Sequence, residues 1–179
     1  RRRATHTPPV QAVTAQHGMV VAQESRAALI GAEVLKRGGN AVDAAVAVGF
    51  AMAVTYPRAG NIGGGGFMLI HLARKNQDIA IDYRETAPAA TTRETFLNAK
   101  GEADPAKSRE QGLAIGVPGT VAGLTHALQK YGSGKFKLAQ LIAPAIDLAR
   151  HGYKVGDEFE ETGRSSIARM APPPAGVPG

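Results

Sequence analysis

The chain has 179 residues, of which 44% are hydrophobic and 20% are charged. This composition is typical of one globular domain and excludes a fibrous or largely disordered protein. Arg1, Arg2 and Arg3 supply half of the formal net charge of +6. Because no basic run alternates with aromatic residues that could stack on bases, the sequence indicates no nucleic-acid partner.

The sequence contains no Cys. This excludes a thiol nucleophile, a thiolate metal site and a disulfide within the chain. No stretch reaches the roughly 18 to 20 apolar residues that a membrane-spanning helix needs. No secretory signal stands at the N-terminus, so we expect that any such signal has already been removed. Residues 1–16 include Pro8 and Pro9 without apolar periodicity, and we predict that they form an extended or disordered leader.

The first predicted elements are a strand and a helix. Residues 18–22 form an apolar run that is typical of a short buried strand. Ser25 follows as a candidate N-cap, and Gly38 with Gly39 should end the helix that it begins.

A second helix is predicted over residues 41–54. Asn40 and Asp43 form a capping-box pair at its start, with an acidic group at the positive end of the helix dipole. Its residues are nearly all apolar, so we expect it to be buried on every side. Pro57 should close it.

A β-hairpin is predicted after the glycine-rich run 60–66. Residues 67–72 and 79–83 are its strands, and the polar residues 75–78 are its turn. Two short elements should follow, a helix near 93–98 and a strand at 113–115.

Two longer helices should complete the domain. The first opens at Pro118 and ends at Gly132, and the second covers residues 138–151. We assign residues 17–165 to this domain, and residues 166–179 to a Pro/Gly-rich irregular end. Strands and helices are mixed without regular βαβ alternation, so the predicted fold class is α+β, with layers of helix and sheet.

The glycine-rich run 60–66 has two interpretations. Backbone N–H groups of such a run can line a phosphate site. A P-loop or dinucleotide site would place the run between a strand and a helix, whereas here a helix precedes it and a strand follows. The sequence therefore favours glycines that let a strand begin close against a neighbouring backbone.

Arg84 is the strongest candidate for a binding residue. It lies at the end of an apolar strand, where its forked guanidinium could project into a cleft and hold a carboxylate bidentately. The alternative is a structural ion pair with Asp82 or Glu85.

The sequence predicts neither a metal site nor a cofactor, and it offers no catalytic residue within this chain. The histidines lack the spacing of metal ligands, and the serines lack a Gly-x-Ser-x-Gly nucleophile elbow. The residues concerned are His6, His17, His71, His126, His151, Ser25, Ser108, Ser133, Ser165 and Ser166.

Several long motifs occur in a specific order and spacing. They are GGNAVDAAVA at 38–47, PRAGNIGGGGF at 57–67, DYRETAP at 82–88, GVPGTVAG at 116–123 and AQLIAPAIDLARHG at 139–152. Together they resemble the γ-glutamyltransferase family, in the N-terminal part of its large subunit. The resemblance covers residues 18–155 and fades after 163, and the family's large subunit is considerably longer than this chain.

The resemblance implies an N-terminal-nucleophile hydrolase with a four-layer αββα sandwich, of which this chain supplies part. In that family one precursor cleaves itself into a large and a small subunit, and the new N-terminal Thr of the small subunit is the nucleophile. The γ-glutamyl group of glutathione or a related donor passes through this Thr to water, or to an amino-acid or peptide acceptor. Such enzymes are periplasmic or extracellular.

Arg84 matches the family's arginine that binds the α-carboxylate of the γ-glutamyl donor. The other family site residues lie on the small subunit. A cephalosporin or glutaryl acylase of the same family is the close alternative function. A non-catalytic scaffold and a phosphate-binding module are alternatives of other classes.

Overall fold

A computed structural model describes residues 12–156 together with 160, 163, 164 and 167. Residues 1–11 of the predicted leader therefore lie outside the described residues. So does the predicted irregular end, apart from Ile167. Helix α1 spans Ser25–Lys36. Its N-cap is Glu24 rather than the predicted Ser25, because the Glu24 carboxylate accepts a hydrogen bond from the Ala27 N–H.

The strand predicted at residues 18–22 does not form. Met19 is 53% exposed and Val21 is 84% exposed. A strand needs a neighbour for its backbone hydrogen bonds, and the described residues place none beside this segment. Val20 is half-buried and lies against Gly31 of α1.

Helix α2 spans Ala41–Thr55, and its predicted capping box is confirmed. The Asn40 side chain accepts hydrogen bonds from the N–H groups of Val42 and Asp43, while the Asp43 carboxylate accepts the Asn40 N–H at 2.9 Å. The expectation of burial on every side is wrong at Ala41 and Ala45, which are exposed.

The hydrophobic core is built around α2. Helix α1 packs along it, as do α4 (Thr120–Tyr131) and α5 (Leu138–His151). Helix α4 begins two residues after the predicted Pro118, with Gly119 as its N-cap, and α5 continues through Pro144 as one helix. The buried core residues are Val34, Val42, Ala44, Val46, Ala47, Phe50, Ile70, Leu124, Ala127, Leu141 and Ala145.

The predicted hairpin is confirmed, but its second strand begins at Gln77, within the predicted turn 75–78. Strand β1 (Phe67–Leu72) pairs with β2 (Gln77–Asp82) in antiparallel register, with Phe67 opposite Asp82. Their connection is a 3₁₀ turn at Ala73–Lys75, followed by Asn76 in the left-handed region at φ 46°. One face of the hairpin packs on the helical core through Ile70 and its neighbours. Successive strand residues point to opposite faces, and the other face is exposed.

The segment between β2 and α4 differs most from expectation. The helix predicted at 93–98 is absent, and a short helix, α3, lies instead at Pro105–Arg109, capped by the Asp104 side chain. The strand predicted at 113–115 is a 3₁₀ turn at Gly112–Ala114. An isolated bridge between Thr86 and Val117 joins the two ends of this segment.

The described residues thus form an α+β unit in which a helical layer covers one face of a two-stranded sheet. Within the described part of the chain, no helix combines the length and the apolar character that crossing a membrane requires. The geometry places the end of β2, the glycine-rich run and the start of α4 in one region.

Candidate functional site

The site begins where strand β2 ends. Tyr83 extends the ladder by one pair, since its N–H donates to Gly66 O at 3.0 Å and its carbonyl accepts the Gly66 N–H at 3.4 Å. The next residue, Arg84, donates its backbone N–H to the Asp82 carboxylate at 3.0 Å. Arg84 therefore leaves the sheet from a fixed backbone, and it is exposed.

Arg84 lines an open cavity of about 400 Å³. Its walls come from the segment after β2 and from the 3₁₀ turn with the residues that follow it. This size suits a small organic substrate. The lining residues are Arg84, Glu85, Thr86, Ala87, Pro88, Thr91, Phe96, Leu113, Ala114, Ile115 and Gly116.

The guanidinium of Arg84 has no carboxylate within ion-pairing distance among the described residues. Asp82 and Glu85 both lie among the described residues. The alternative of a structural ion pair between Arg84 and either of them is therefore wrong. The Asp82 carboxylate instead accepts the backbone N–H of Arg84. The planar fork of five donors remains available to a ligand carboxylate.

Three chain segments support this site. The carbonyl oxygen of Gly64 accepts the N–H groups of Gly119 at 2.8 Å and Thr120 at 3.0 Å, which ties the glycine-rich run to the start of α4. Thr86 and Val117 exchange backbone hydrogen bonds. The expected close approach of the glycine-rich run to a neighbouring backbone is confirmed, because a β-carbon on Gly65 would lie 2.5 Å from Tyr83 O.

Sequence reasoning missed the contribution of Gly119 and Gly123 to this site. Both pack against Tyr83, the residue that precedes Arg84. Burial raises the pKa of the Tyr83 hydroxyl. The signal available in the sequence was Gly123, a glycine inside a predicted helix, where it costs about 1 kcal/mol relative to Ala and so indicates a close packing contact.

A second cavity, of about 490 Å³, lies between the start of α1 and the end of α2. Several of its polar groups already bind one another or nearby backbone. The Arg26 guanidinium contacts the Glu24 carboxylate at 2.7 Å and the Lys154 carbonyl at 2.7 Å, and the Tyr153 hydroxyl donates to Val54 O at 2.8 Å. Although this cavity is larger, the guanidinium that lines the Arg84 cavity is the better hydrogen-bond donor for a ligand carboxylate.

The part of the chain that the structure describes contains no cluster of three His, Asp or Glu residues that could hold a metal ion. His71 instead contacts Asp78 at 2.8 Å, across the two strands of the hairpin.

Known proteins resemble this chain in sequence and in fold. A sequence model of the family Gamma-glutamyltranspeptidase matches residues 27–176. The chain is 52% identical over 149 residues to the glutathione hydrolase proenzyme of Escherichia coli strain K12. That alignment covers 83% of this chain and 25% of the relative, so the chain spans about a quarter of the length of this relative.

Two solved structures have the same fold. The γ-glutamyltranspeptidase of Helicobacter pylori superposes with a TM-score of 0.83 at 47% identity, over 90% of this chain and 45% of that one. The cephalosporin acylase of Bacillus halodurans gives a TM-score of 0.69 at 25% identity, over 93% of this chain and 31% of that one. The predicted α+β fold, as part of an N-terminal-nucleophile hydrolase, is confirmed. The family match, the identity and the superposition together show that this chain belongs to the γ-glutamyltranspeptidase family.

Proposed function

We propose that this chain is the N-terminal part of the large subunit of a γ-glutamyltransferase, and that Arg84 binds the α-carboxylate of the donor. The enzyme cleaves the γ-glutamyl amide of glutathione and related compounds, and it transfers the γ-glutamyl group to water, amino acids or peptides. The observation that carries the proposal is the exposed Arg84 guanidinium, which lines a substrate-sized cavity and has no carboxylate partner among the described residues.

The chemistry of Arg84 suits this role. Its fork can donate two parallel hydrogen bonds to one carboxylate, which fixes the direction of the donor as well as its position. A hydrogen bond to a charged group contributes about 1.5 to 3 kcal/mol. Held in this way, the donor presents its γ-carbonyl to the nucleophile, the N-terminal Thr of the small subunit, whose own α-amino group acts as the base.

The exposed apolar face of the hairpin is an argument for a companion subunit that would cover it. Phe67 is 63% exposed and Leu69 is 84% exposed, and both lie on the face away from the helices. In a four-layer sandwich this apolar face would pack against a second sheet. The relative in Escherichia coli is a proenzyme by name, which supports one precursor for both subunits. Such an enzyme would act in the periplasm or outside the cell.

A glutaryl or cephalosporin acylase is the second candidate, since a cephalosporin acylase superposes on this chain. A glutaryl donor keeps the carboxylate that Arg84 would bind but lacks the α-amino group. The two candidates therefore share the proposed role of Arg84 and differ in how the α-amino group is recognised.

The full-length, processed protein with Arg84→Ala tests the role of this residue. Loss of the charged fork should raise the KM for a γ-glutamyl anilide roughly 10- to 100-fold, with a smaller change in kcat. Arg93→Ala is the matched control, because Arg93 is an exposed arginine of the same loop that does not line the cavity. An unchanged KM in Arg84→Ala would exclude the assignment.

A further inference from the structure

Gly65 lies directly against the backbone that carries Arg84. A β-carbon added to Gly65 would lie 2.7 Å from Arg84 Cα, 2.7 Å from Glu85 N and 2.5 Å from Tyr83 O. These are backbone atoms of a paired segment, so they cannot turn aside as a side chain could. Any side chain at position 65 therefore has to displace the backbone of Arg84.

Gly119 approaches the same peptide from the start of α4. A β-carbon on Gly119 would overlap the Tyr83 carbonyl group. The Gly119 N–H donates to Gly64 O at 2.8 Å, so the two glycine segments are bonded to each other as well. The peptide that joins Tyr83 to Arg84 is thus in contact with two glycines from distant parts of the sequence.

Gly63, two residues before Gly65, has no such contact. A β-carbon there would meet no heavy atom within 4 Å. Its φ also lies outside the left-handed region, since it is absent from the positive-φ glycines of the described chain. Position 63 therefore tolerates a side chain, which makes it an internal comparison for Gly65 within one glycine-rich run.

We propose that Gly65 and Gly119 are positioning residues for substrate binding, because they fix the Tyr83–Arg84 peptide and so the place of the guanidinium. This inference rests on the proposed function of Arg84. A bidentate contact needs both its distance and its plane to be correct. A displacement of about 1 Å in such a contact can lower a rate about 100-fold.

The test compares Gly65→Ala with Gly63→Ala in the full-length, processed enzyme. Two donors are used: the γ-glutamyl anilide, and the 4-aminobutyryl anilide, which keeps the amino group but lacks the α-carboxylate. Gly65→Ala should lower kcat/KM for the γ-glutamyl donor roughly 10- to 100-fold, mainly through KM, with little change for the 4-aminobutyryl donor. Gly63→Ala should match the wild type with both. Equal losses for the two donors in Gly65→Ala would mean a merely structural role and would overturn the inference.

Combination with Arg84→Ala separates this inference from the proposed function. If Gly65 acts through Arg84, Gly65→Ala adds no further loss in the Arg84→Ala background. Fully additive losses would overturn the positioning role while Arg84 itself stays a binding residue. If Arg84→Ala alone leaves the γ-glutamyl KM unchanged, the proposed function fails, and the positioning role fails with it.

Gly119→Ala covers the case in which Gly65→Ala is not processed into subunits. A β-carbon on Gly119 would overlap the Tyr83 carbonyl group, so this variant displaces the same peptide from the start of α4. Gly119→Ala should reduce the preference for the γ-glutamyl over the 4-aminobutyryl donor in the same direction as Gly65→Ala. A wild-type preference in Gly119→Ala would overturn the inference.

Discussion

The fully buried carboxylate of Asp43 accepts a hydrogen bond from the backbone N–H of Ser133, with its two oxygens at 3.2 and 3.3 Å. The same carboxylate accepts the Asn40 N–H at the start of α2. Asn40 in turn donates its side-chain amide to Tyr131 O at 2.8 Å. The first turn of α2 is therefore joined to the connection between α4 and α5, which holds three core helices together.

Asp43→Ala should destabilise the protein strongly. It removes the acceptor of two partly buried backbone N–H groups, and each donor left without a partner costs up to about 1 to 3 kcal/mol. We expect the free energy of unfolding to fall by about 2 to 4 kcal/mol, measured by urea denaturation of the full-length protein. Asp147→Ala, at an exposed position of α5, is the control and should change it little. Similar midpoints for the two variants would show that this connection contributes nothing.

Glu24 gives α1 a pH-dependent cap. Burial raises the pKa of its carboxyl, but the hydrogen bonds from Ala27, from the Arg26 side chain and backbone, and from Thr55 outweigh burial and lower the pKa below its ordinary value of 4.5. Because the folded-state pKa is depressed, the stabilisation is complete above the unfolded pKa. It is lost as the pH falls through the folded pKa.

Glu24→Gln should therefore weaken the first turn of α1 at pH 7, by up to about 1 kcal/mol, and the difference from the wild type should disappear below the folded-state pKa. Hydrogen exchange of the Ala27 and Ala28 amides measures this directly. Glu33→Gln, at an exposed position of the same helix, should leave that exchange unchanged. A difference between Glu24→Gln and wild type that persists at the acidic end would contradict the assignment.

Arg84→Lys tests whether the fork matters in addition to the charge. A lysine ammonium is a point charge on a flexible stem and cannot make two parallel, coplanar hydrogen bonds to a carboxylate. We expect the KM for the γ-glutamyl anilide to rise nearly as far as in Arg84→Ala, while turnover of the 4-aminobutyryl anilide changes little. A lysine variant with a wild-type KM would show that charge alone suffices.

Local signals in the sequence predicted the elements that local interactions determine. Asn40 and Asp43 mark the start of α2 because their side chains bond within one helical turn. Two apolar runs on either side of the polar residues 75–78 predicted the hairpin. The sequence also contained the signal for α3, an Asp-Pro pair at 104 and 105, and our expectation of a helix at 93–98 overlooked it.

The contacts that build the site depend on distant parts of the chain. Gly64 accepts a hydrogen bond from Gly119, which lies 55 positions later in the sequence. A local sequence pattern cannot predict such a distant pair. The apolar residues 18–22 read as a strand, but a strand needs a neighbour, and the described residues supply none. Arg84 could be named from the sequence, whereas the wall formed by Phe96 and residues 113–116 could not.

The most direct test of γ-glutamyl transfer is a comparison of two anilides by the full-length, processed enzyme. The γ-glutamyl and glutaryl anilides share the carboxylate that Arg84 would bind and differ only in the α-amino group. We predict a clear preference in kcat/KM for the γ-glutamyl anilide. A preference for the glutaryl anilide would contradict the transferase and identify an acylase.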